Sequence, residues 1–247
     1  MAKVRVDQLL VDRGLAESRA KAQALVLAGS VYAREQRIDK PGTAIPADTE
    51  LEVRGDKMPY VSRGGVKLAG ALDGFAIDPK GLSCLDVGAS TGGFTDCLLQ
   101  RGAARVVAVD VGYGQLAQKL RDDARVVNLE RTNARTLEAE AIGGAAELTV
   151  VDASFIGLAK LADALARCTR AGGTLLALVK PQFEVGREVA SRGRGVIRDE
   201  VVRGSAIADA RASLEGVGFE VLAEADCVLP GPKGNLEAFV HAKRRAS

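Results

Sequence analysis

The stretch Leu85-Asp86-Val87-Gly88-Ala89-Ser90-Thr91-Gly92-Gly93-Phe94-Thr95 constrains this chain most, because an apolar run, Leu82 to Val87, breaks there into a glycine-rich turn. Phe94-Thr95-Asp96-Cys97-Leu98-Leu99 then reads as the start of a helix. A strand, a tight turn and a helix N-terminus together let backbone approach a nucleotide-like ligand closely. About 20 residues further on, a second apolar run from Arg105 ends in Asp110, where a Rossmann-like unit places an acid on ribose hydroxyls. No Gly-Lys-Ser/Thr follows to grip a phosphate, and Ala89 with Thr91-Gly92-Gly93 breaks the Gly-x-Gly-x-x-Gly spacing. Asp86, just before the turn, suits a ligand carrying positive charge better than a pyrophosphate. The pattern points to S-adenosylmethionine (SAM), held by Asp86, Gly88, Ala89, Ser90, Thr91, Gly92, Gly93, Phe94 and Asp110. The competing reading is a strand-to-helix turn with no ligand.

Composition permits this. The 247 residues are 47% hydrophobic and 4% aromatic without Trp, so the expected core is aliphatic, in one large domain or two unequal ones. A net charge of +2 does not announce a nucleic-acid binder, and any RNA surface must be local. Cys84, Cys97, Cys168 and Cys227 form no C-x-x-C pair, which argues against a zinc site or disulfide framework. The single histidine, His241, lies in a terminal apolar run and is expected to pack. No signal peptide opens the chain, and no apolar run approaches the ~18 residues of a membrane span, so the expectation is a cytoplasmic protein without metal or membrane.

From Ser83 onward, short β-rich runs alternate with helical segments. The expected strands are Ser83–Val87, Arg105–Asp110, Arg125–Leu129, Glu147–Val151, Thr174–Val179, Phe219–Glu224 and Glu237–His241, with helices such as Gly157–Cys168 and Glu200–Val217 between them. That alternation predicts an α/β fold, a parallel sheet covered by helices on both faces. The Pro230–Asn235 link leaves no room for a crossover helix, so the last strand should run antiparallel. Six helix-connected strands and a reversed seventh give the Rossmann-like fold of SAM-dependent methyltransferases.

The first 60 residues differ in texture. Val4–Arg13 and Ser18–Leu27 are predicted as short helices, with Gly14 ending the first and Ser18 capping the second. Val31–Ala33 and Leu51–Val53 follow as small strands. Arg5-Val6-Asp7, Leu10, Gly14, Ser18-Arg19, Ala22, Gly29 and Val31 resemble the RNA-binding domain shared with the ribosomal small-subunit protein S-four, with Arg34-Glu35 standing where Asn-Gly is usual. The expected division is a small α+β RNA-binding domain over 1–55, a linker over 56–61 and a catalytic domain over 62–247. Arg5, Arg19 and Lys21 are its candidate RNA contacts.

Four charged residues fall where such a fold exposes them. Asp152 ends the fourth strand and Lys180 the fifth, and ligand crevices lie beyond the carboxyl ends of parallel strands. Lys67 lies on the helix before the first strand, and Glu237 opens the last. Each alone could mark where a strand meets water. The sulfonium of SAM is already a strong electrophile, so an enzyme mainly has to position the nucleophile. Asp152-Ala153-Ser154-Phe155 is not the Asn-Pro-Pro-aromatic run that grips a base amino group, and no Pro-Cys pair offers a thiolate. A ribose 2′-OH fits best, with Lys180 as base or as orienting cation, Lys67 as its neighbouring cation and Asp152 as its partner.

Several runs strengthen this reading: Ser62-Arg63-Gly64-Gly65-Val66-Lys67-Leu68, the glycine turn, Asp110-Val111-Gly112-Tyr113-Gly114, Glu130-Arg131-Thr132-Asn133-Ala134-Arg135, Lys180-Pro181-Gln182-Phe183-Glu184-Val185-Gly186 and Pro230–Glu237. Together they resemble the TlyA family, ribosomal RNA 2′-O-methyltransferases with an FtsJ-like catalytic domain, some of which are also named haemolysins. The resemblance spans nearly the whole chain. It implies a catalytic tetrad at Lys67, Asp152, Lys180 and Glu237, cofactor contacts from Asn133 and Asp152, and cytidine 2′-O-methylation of ribosomal RNA within ribosomal subunits. Just past Lys180, Gly186–Arg198 carries Arg187, Arg192, Arg194 and Arg198 against Glu188 alone, a cationic loop suited to an RNA backbone. Two other readings stand beside this one. A membrane-damaging haemolysin would need an inserting element, and a non-catalytic assembly factor would not need the intact tetrad.

Overall fold

The computed structural model describes residues 3–27, 29–54, 59–185, 196–231 and 234–246. The chain divides into two compact units, Met1–Lys57 and Met58–Ser247.

The smaller unit pairs two helices, Val6–Asp12 (α1) and Arg19–Leu27 (α2), around Leu9, Leu10, Ala22 and Val26. Gly14 takes the left-handed conformation that ends α1 (φ 69°), and Ser18 Oγ accepts the Lys21 N–H at 3.2 Å at the start of α2. Lys3–Arg5 (β1) and Ala44–Pro46 (β4) form a two-stranded sheet that periodicity does not announce, since each is only three residues long. Val31–Ala33 (β2), Gln36–Arg37 (β3) and Leu51–Val53 (β5) form the other sheet, in the order β3-β2-β5. Tyr32 faces Arg37 and Ala33 faces Gln36, so Arg34-Glu35 makes a two-residue hairpin without Asn-Gly, with Arg34 at φ 54°.

In the larger unit the helix Arg63–Gly74 (α3) precedes a seven-stranded sheet. The strands are Ser83–Val87 (β6), Arg105–Val109 (β7), Val126–Leu129 (β8), Ala146–Val151 (β9), Thr169–Val179 (β10), Phe219–Asp226 (β11) and Ala238–Arg244 (β12), in the order β11-β12-β10-β9-β6-β7-β8. Adjacent strands from β10 through β8 are parallel, while β12 runs antiparallel to both β10 and β11. The reversed strand slots between its two predecessors, which the short link before it did not specify. Aliphatic residues fill both faces of the sheet: one cluster includes Leu85, Val107, Leu175 and Leu214, the other Leu72, Leu98, Val106 and Leu176. The crossovers are less helical than expected: β8 and β9 are joined by 3₁₀ turns, and Gly157–Cys168 divides into a 3₁₀ turn and the helix Ala162–Cys168. All four cysteines are free, three of them buried, and His241 lies against Phe75 with ring centroids 5.2 Å apart. Among the described residues no helix is long and apolar enough to cross a membrane.

The end of α3 carries a testable strain. Ile77 N–H donates to Leu72 C=O and Ala76 N–H to Asp73 C=O, a Schellman closure that puts exposed Ala76 at φ 53°. A left-handed alanine costs about 1–2 kcal/mol. Ala76→Gly should therefore stabilise the protein by about 1 kcal/mol in thermal melts; an unchanged or lower Tm would contradict the strain.

Candidate active site

The catalytic-face geometry starts at the β6 turn. Gly88, at φ 85°, lies so close to the next strand's end that a Cβ there would meet the Asp152 carbonyl oxygen at 2.9 Å. Glycine at this position is what lets the turn and Asp152 share one edge of the sheet. Ser90 N–H donates to Asp110 Oδ2 at 2.8 Å and Gly112 N–H to Oδ1 at 2.7 Å. The Asp110 carboxylate thus ties the first turn to the loop after β7. Each oxygen keeps a second lone pair for a ligand.

Between these elements lies a cleft of about 440 Å³, walled by Val109, Val111, Ala134, Ile156 and Leu161, with Asp110, Asn133 and Asp152 as polar members. A smaller adjoining pocket is lined by Ala89, Ser90, Thr91, Gly93 and Phe94 together with Ser62, Gly64 and Asp152. Asn133 Oδ1 caps the 3₁₀ turn by accepting the Arg135 N–H. A largely apolar cleft of this volume with two acids in its lining has the size and chemistry to take a nucleoside with a cationic tail.

Asp86 lies elsewhere than its place in the sequence suggested. It is 0% exposed, beneath the turn and outside the lining of both pockets. Its Oδ2 accepts the Thr95 N–H at 2.9 Å and the Thr95 hydroxyl at 2.7 Å, fastening the helix Gly93–Gln100 (α4) to β6. Burial pushes its carboxyl up to about 7, against the lowering effect of the Thr95 hydrogen bonds. The folded chain therefore holds this proton more tightly than the unfolded chain. The resulting stabilisation is complete below about pH 4 and is lost as pH rises toward 7. Between pH 5 and pH 8 the wild-type Tm should fall more than that of Asp86→Asn. Parallel melting curves would contradict this.

Two lysine–carboxylate pairs stand at the strand ends. Lys180 follows β10 and Asp152 follows β9; Lys180 Nζ lies 2.6 Å from Asp152 Oδ1 and donates to Ser154 Oγ at 2.8 Å. Lys67 on α3 pairs with Glu237, the residue before β12, in a short contact that is 7% and 1% exposed at its two ends. Among the described residues, Glu237 Oε1 is buried without a hydrogen-bond partner. Lys67 is therefore neutralised by Glu237 and does not act as a bare cation beside Lys180. Gly64 on α3 connects the pairs to the turn, since a Cβ there would lie 3.5 Å from the Phe94 ring and 3.7 Å from Asp152 Oδ2.

Sequence reasoning passed over Ser154, the hydroxyl partner of Lys180, because Asp152-Ala153-Ser154-Phe155 was weighed only against a different motif. It also passed over Phe155, which is 89% exposed at φ 65° with its ring 5.1 Å from that of Phe183. An exposed aromatic directly after a strand-end acid was the available signal.

In the smaller unit, Asp7 is fully buried and accepts from Arg5, Arg19 and Gln23. The Arg5 guanidinium and these other donors hold its carboxyl well below the usual range despite burial. Arg5 and Arg19 remain half-exposed and Lys21 is exposed. Arg187, Arg192 and Arg194 lie outside the described residues.

The sheet order and the cleft at its carboxyl edge define a Rossmann-like methyltransferase. The FtsJ-like methyltransferase model matches residues 60–244. The 16S/23S rRNA (cytidine-2′-O)-methyltransferase TlyA of Mycobacterium tuberculosis is 49% identical over 239 residues, which are 96% of this chain and 89% of that protein. A Streptococcus thermophilus structure, solved under a provisional hemolysin description, is 42% identical with TM-score 0.78, covering 100% of this chain and 90% of that one. An S-adenosylmethionine-dependent methyltransferase structure from Mesorhizobium loti shares the fold at 16% identity and TM-score 0.52, covering 72% of this chain and 98% of its own. The chain belongs to the TlyA family of FtsJ-like methyltransferases.

Proposed function

We propose that this chain transfers a methyl group from SAM to the 2′-OH of a cytidine ribose in ribosomal RNA, in the cytoplasm and within ribosomal subunits. The observation that carries the reading is the Lys180–Asp152–Ser154 cluster beside the nucleoside-sized cleft. It supplies a cation, a carboxylate and a hydroxyl at one edge of the cleft, a set suited to a hydroxyl acceptor.

Asp110 would accept from the ribose of the cofactor, Ala134 and Ile156 would flank its base, and Asp152 would meet its charged end. When bound, SAM supplies an activated methyl on sulfur, and the rest of the work belongs to the chain's own side chains. Lys180 would orient the acceptor hydroxyl and manage its charge or proton, with Asp152 and Ser154 holding the ammonium in place. The Lys67–Glu237 pair would fix α3 against the last strand beneath the acceptor. Arg5, Arg19 and Lys21 would dock structured RNA through its phosphates, and Arg187, Arg192 and Arg194 would hold the strand near the donor.

Purified protein, labelled SAM and ribosomal subunits test the reading. Digestion of the RNA to nucleosides should give labelled 2′-O-methylcytidine. Label on a base, on protein, or nowhere would reject it, and lysis of cells by purified protein without SAM would favour the haemolysin reading.

A further inference from the structure

The segment after β10 holds a carboxylate whose position the chemistry above does not explain. Glu184 ends the short helical turn Pro181–Glu184 that begins directly after Lys180. Both its oxygens accept the Leu158 N–H at 3.0 Å, and Leu158 opens the 3₁₀ turn that follows Asp152-Ala153-Ser154-Phe155. Gly157 is shaped to this contact: a Cβ there would meet Glu184 Oε2 at 2.9 Å and the Phe183 carbonyl at 3.4 Å. Gly157 has φ −75°, so a Cβ there would not strain the backbone and would instead push the Glu184 carboxylate aside.

Among the described residues no lysine or arginine pairs with Glu184, and burial raises its pKa. Partly burying a carboxylate costs solvation that hydrogen bonding to one backbone N–H repays only in part. The position joins the loop carrying Asp152 and Ser154 to the turn carrying Lys180. Phe155, held at φ 65°, is strained on one side of that join and meets Phe183 on the other.

We infer that Glu184 is a positioning residue for methyl transfer, pinning the Gly157–Leu158 backbone to the Lys180 turn so that Asp152 and Ser154 keep their distances to Lys180. The inference rests on the proposed roles of Lys180 and Asp152. Misplacing reacting groups by about 1 Å can cost on the order of 10²-fold in rate. Glu184 is itself in neither pocket lining, so its loss should act more on turnover, which needs the Asp152 and Ser154 distances to Lys180, than on cofactor affinity.

Steady-state methyl transfer by the full chain to ribosomal subunits separates these effects. Glu184→Ala should lower kcat by about tenfold or more while the KM for SAM stays within about threefold. Glu184→Gln keeps an oxygen for the Leu158 N–H and should return most of the rate, whereas a Gln variant as impaired as Ala would mean that the charge and not this hydrogen bond matters, against the inference. Gly157→Ala should reproduce the kcat loss by displacing Glu184. The double variant Gly157→Ala/Glu184→Ala should be no worse than either single one, because both break one contact. These two substitutions keep the test decisive should Glu184→Ala fold poorly. Wild-type kcat in Glu184→Ala, strictly additive losses, or a matching rise in the KM for SAM would overturn the inference. A Lys180→Ala control distinguishes the failures: if it stays active, the site reading itself is wrong, and if it is inactive beside a fully active Glu184→Ala, only the Glu184 inference falls.

Discussion

Lys180→Ala should lower the rate of methyl transfer by about 10²–10⁴, the usual cost of losing a positioned group that handles a proton or its charge, while SAM still binds. Lys180 is 8% exposed, and Asp152 and Ser154 both contact its Nζ. The site therefore fixes one nitrogen rather than a mobile surface charge. Lys180→Arg separates the two roles that chemistry allows it. A guanidinium keeps the positive charge but does not deprotonate at usable pH. Appreciable activity in Arg would identify a cation that orients the hydroxyl and steadies its developing charge. An Arg variant as inactive as Ala, with a wild-type rate that rises with pH, would identify a proton acceptor. Single-turnover methyl transfer at saturating SAM makes the comparison. A Lys180→Ala enzyme within a few-fold of wild type would exclude both roles. Lys67 is the poorer first target, since removing one member of a buried pair costs about 3–5 kcal/mol and would mix folding with chemistry.

Asp110→Ala is expected to weaken SAM binding by tenfold to hundredfold, since a hydrogen bond to a charged acceptor contributes about 1.5–3 kcal/mol. The substitution also frees the N–H groups of Ser90 and Gly112, so part of the loss reflects a looser turn. Calorimetric titration with SAM, paired with melting curves, separates the two contributions. Unchanged affinity would remove the cofactor from this cleft. Gly92→Val makes a useful contrast because its effect is not on the ligand. Gly92 has φ 96°, and a Cβ there would point at Leu120 and Leu116, at 2.3 and 2.7 Å, not into either pocket. Its replacement should lower Tm outright, through a disallowed backbone conformation and crowding.

The glycine turn thus illustrates how far the sequence could be read. Its strand–turn–helix character and its pairing with Asp110 were legible because glycine and a strand-end acid have few other uses at that spacing. Which glycines face a ligand was not legible, because a left-handed φ is demanded equally by packing against Leu116 and by approach to a nucleoside. Asp86 shows the same limit, since a buried helix fastener and a ligand contact read identically before the fold is known. Strand existence followed from apolar runs, but the insertion of β12 between β10 and β11 depends on long-range pairing that no local pattern encodes. Lys67 and Glu237 were legible as charged residues at exposed places of the fold but not as partners of each other, because 170 residues separate the two members of that pair. Asp7 was hidden for a related reason: its three donors come from two elements, and only the packed helices bring them together.

Ribosomal RNA from cells with the protein, without it, and with only its Lys180→Ala variant offers the most direct test of the central claim. Primer extension at limiting nucleotide concentration pauses at 2′-O-methyl sites. The account predicts a pause at one or more cytidines in the wild type that vanishes in both other samples. Identical pause patterns in all three would contradict it.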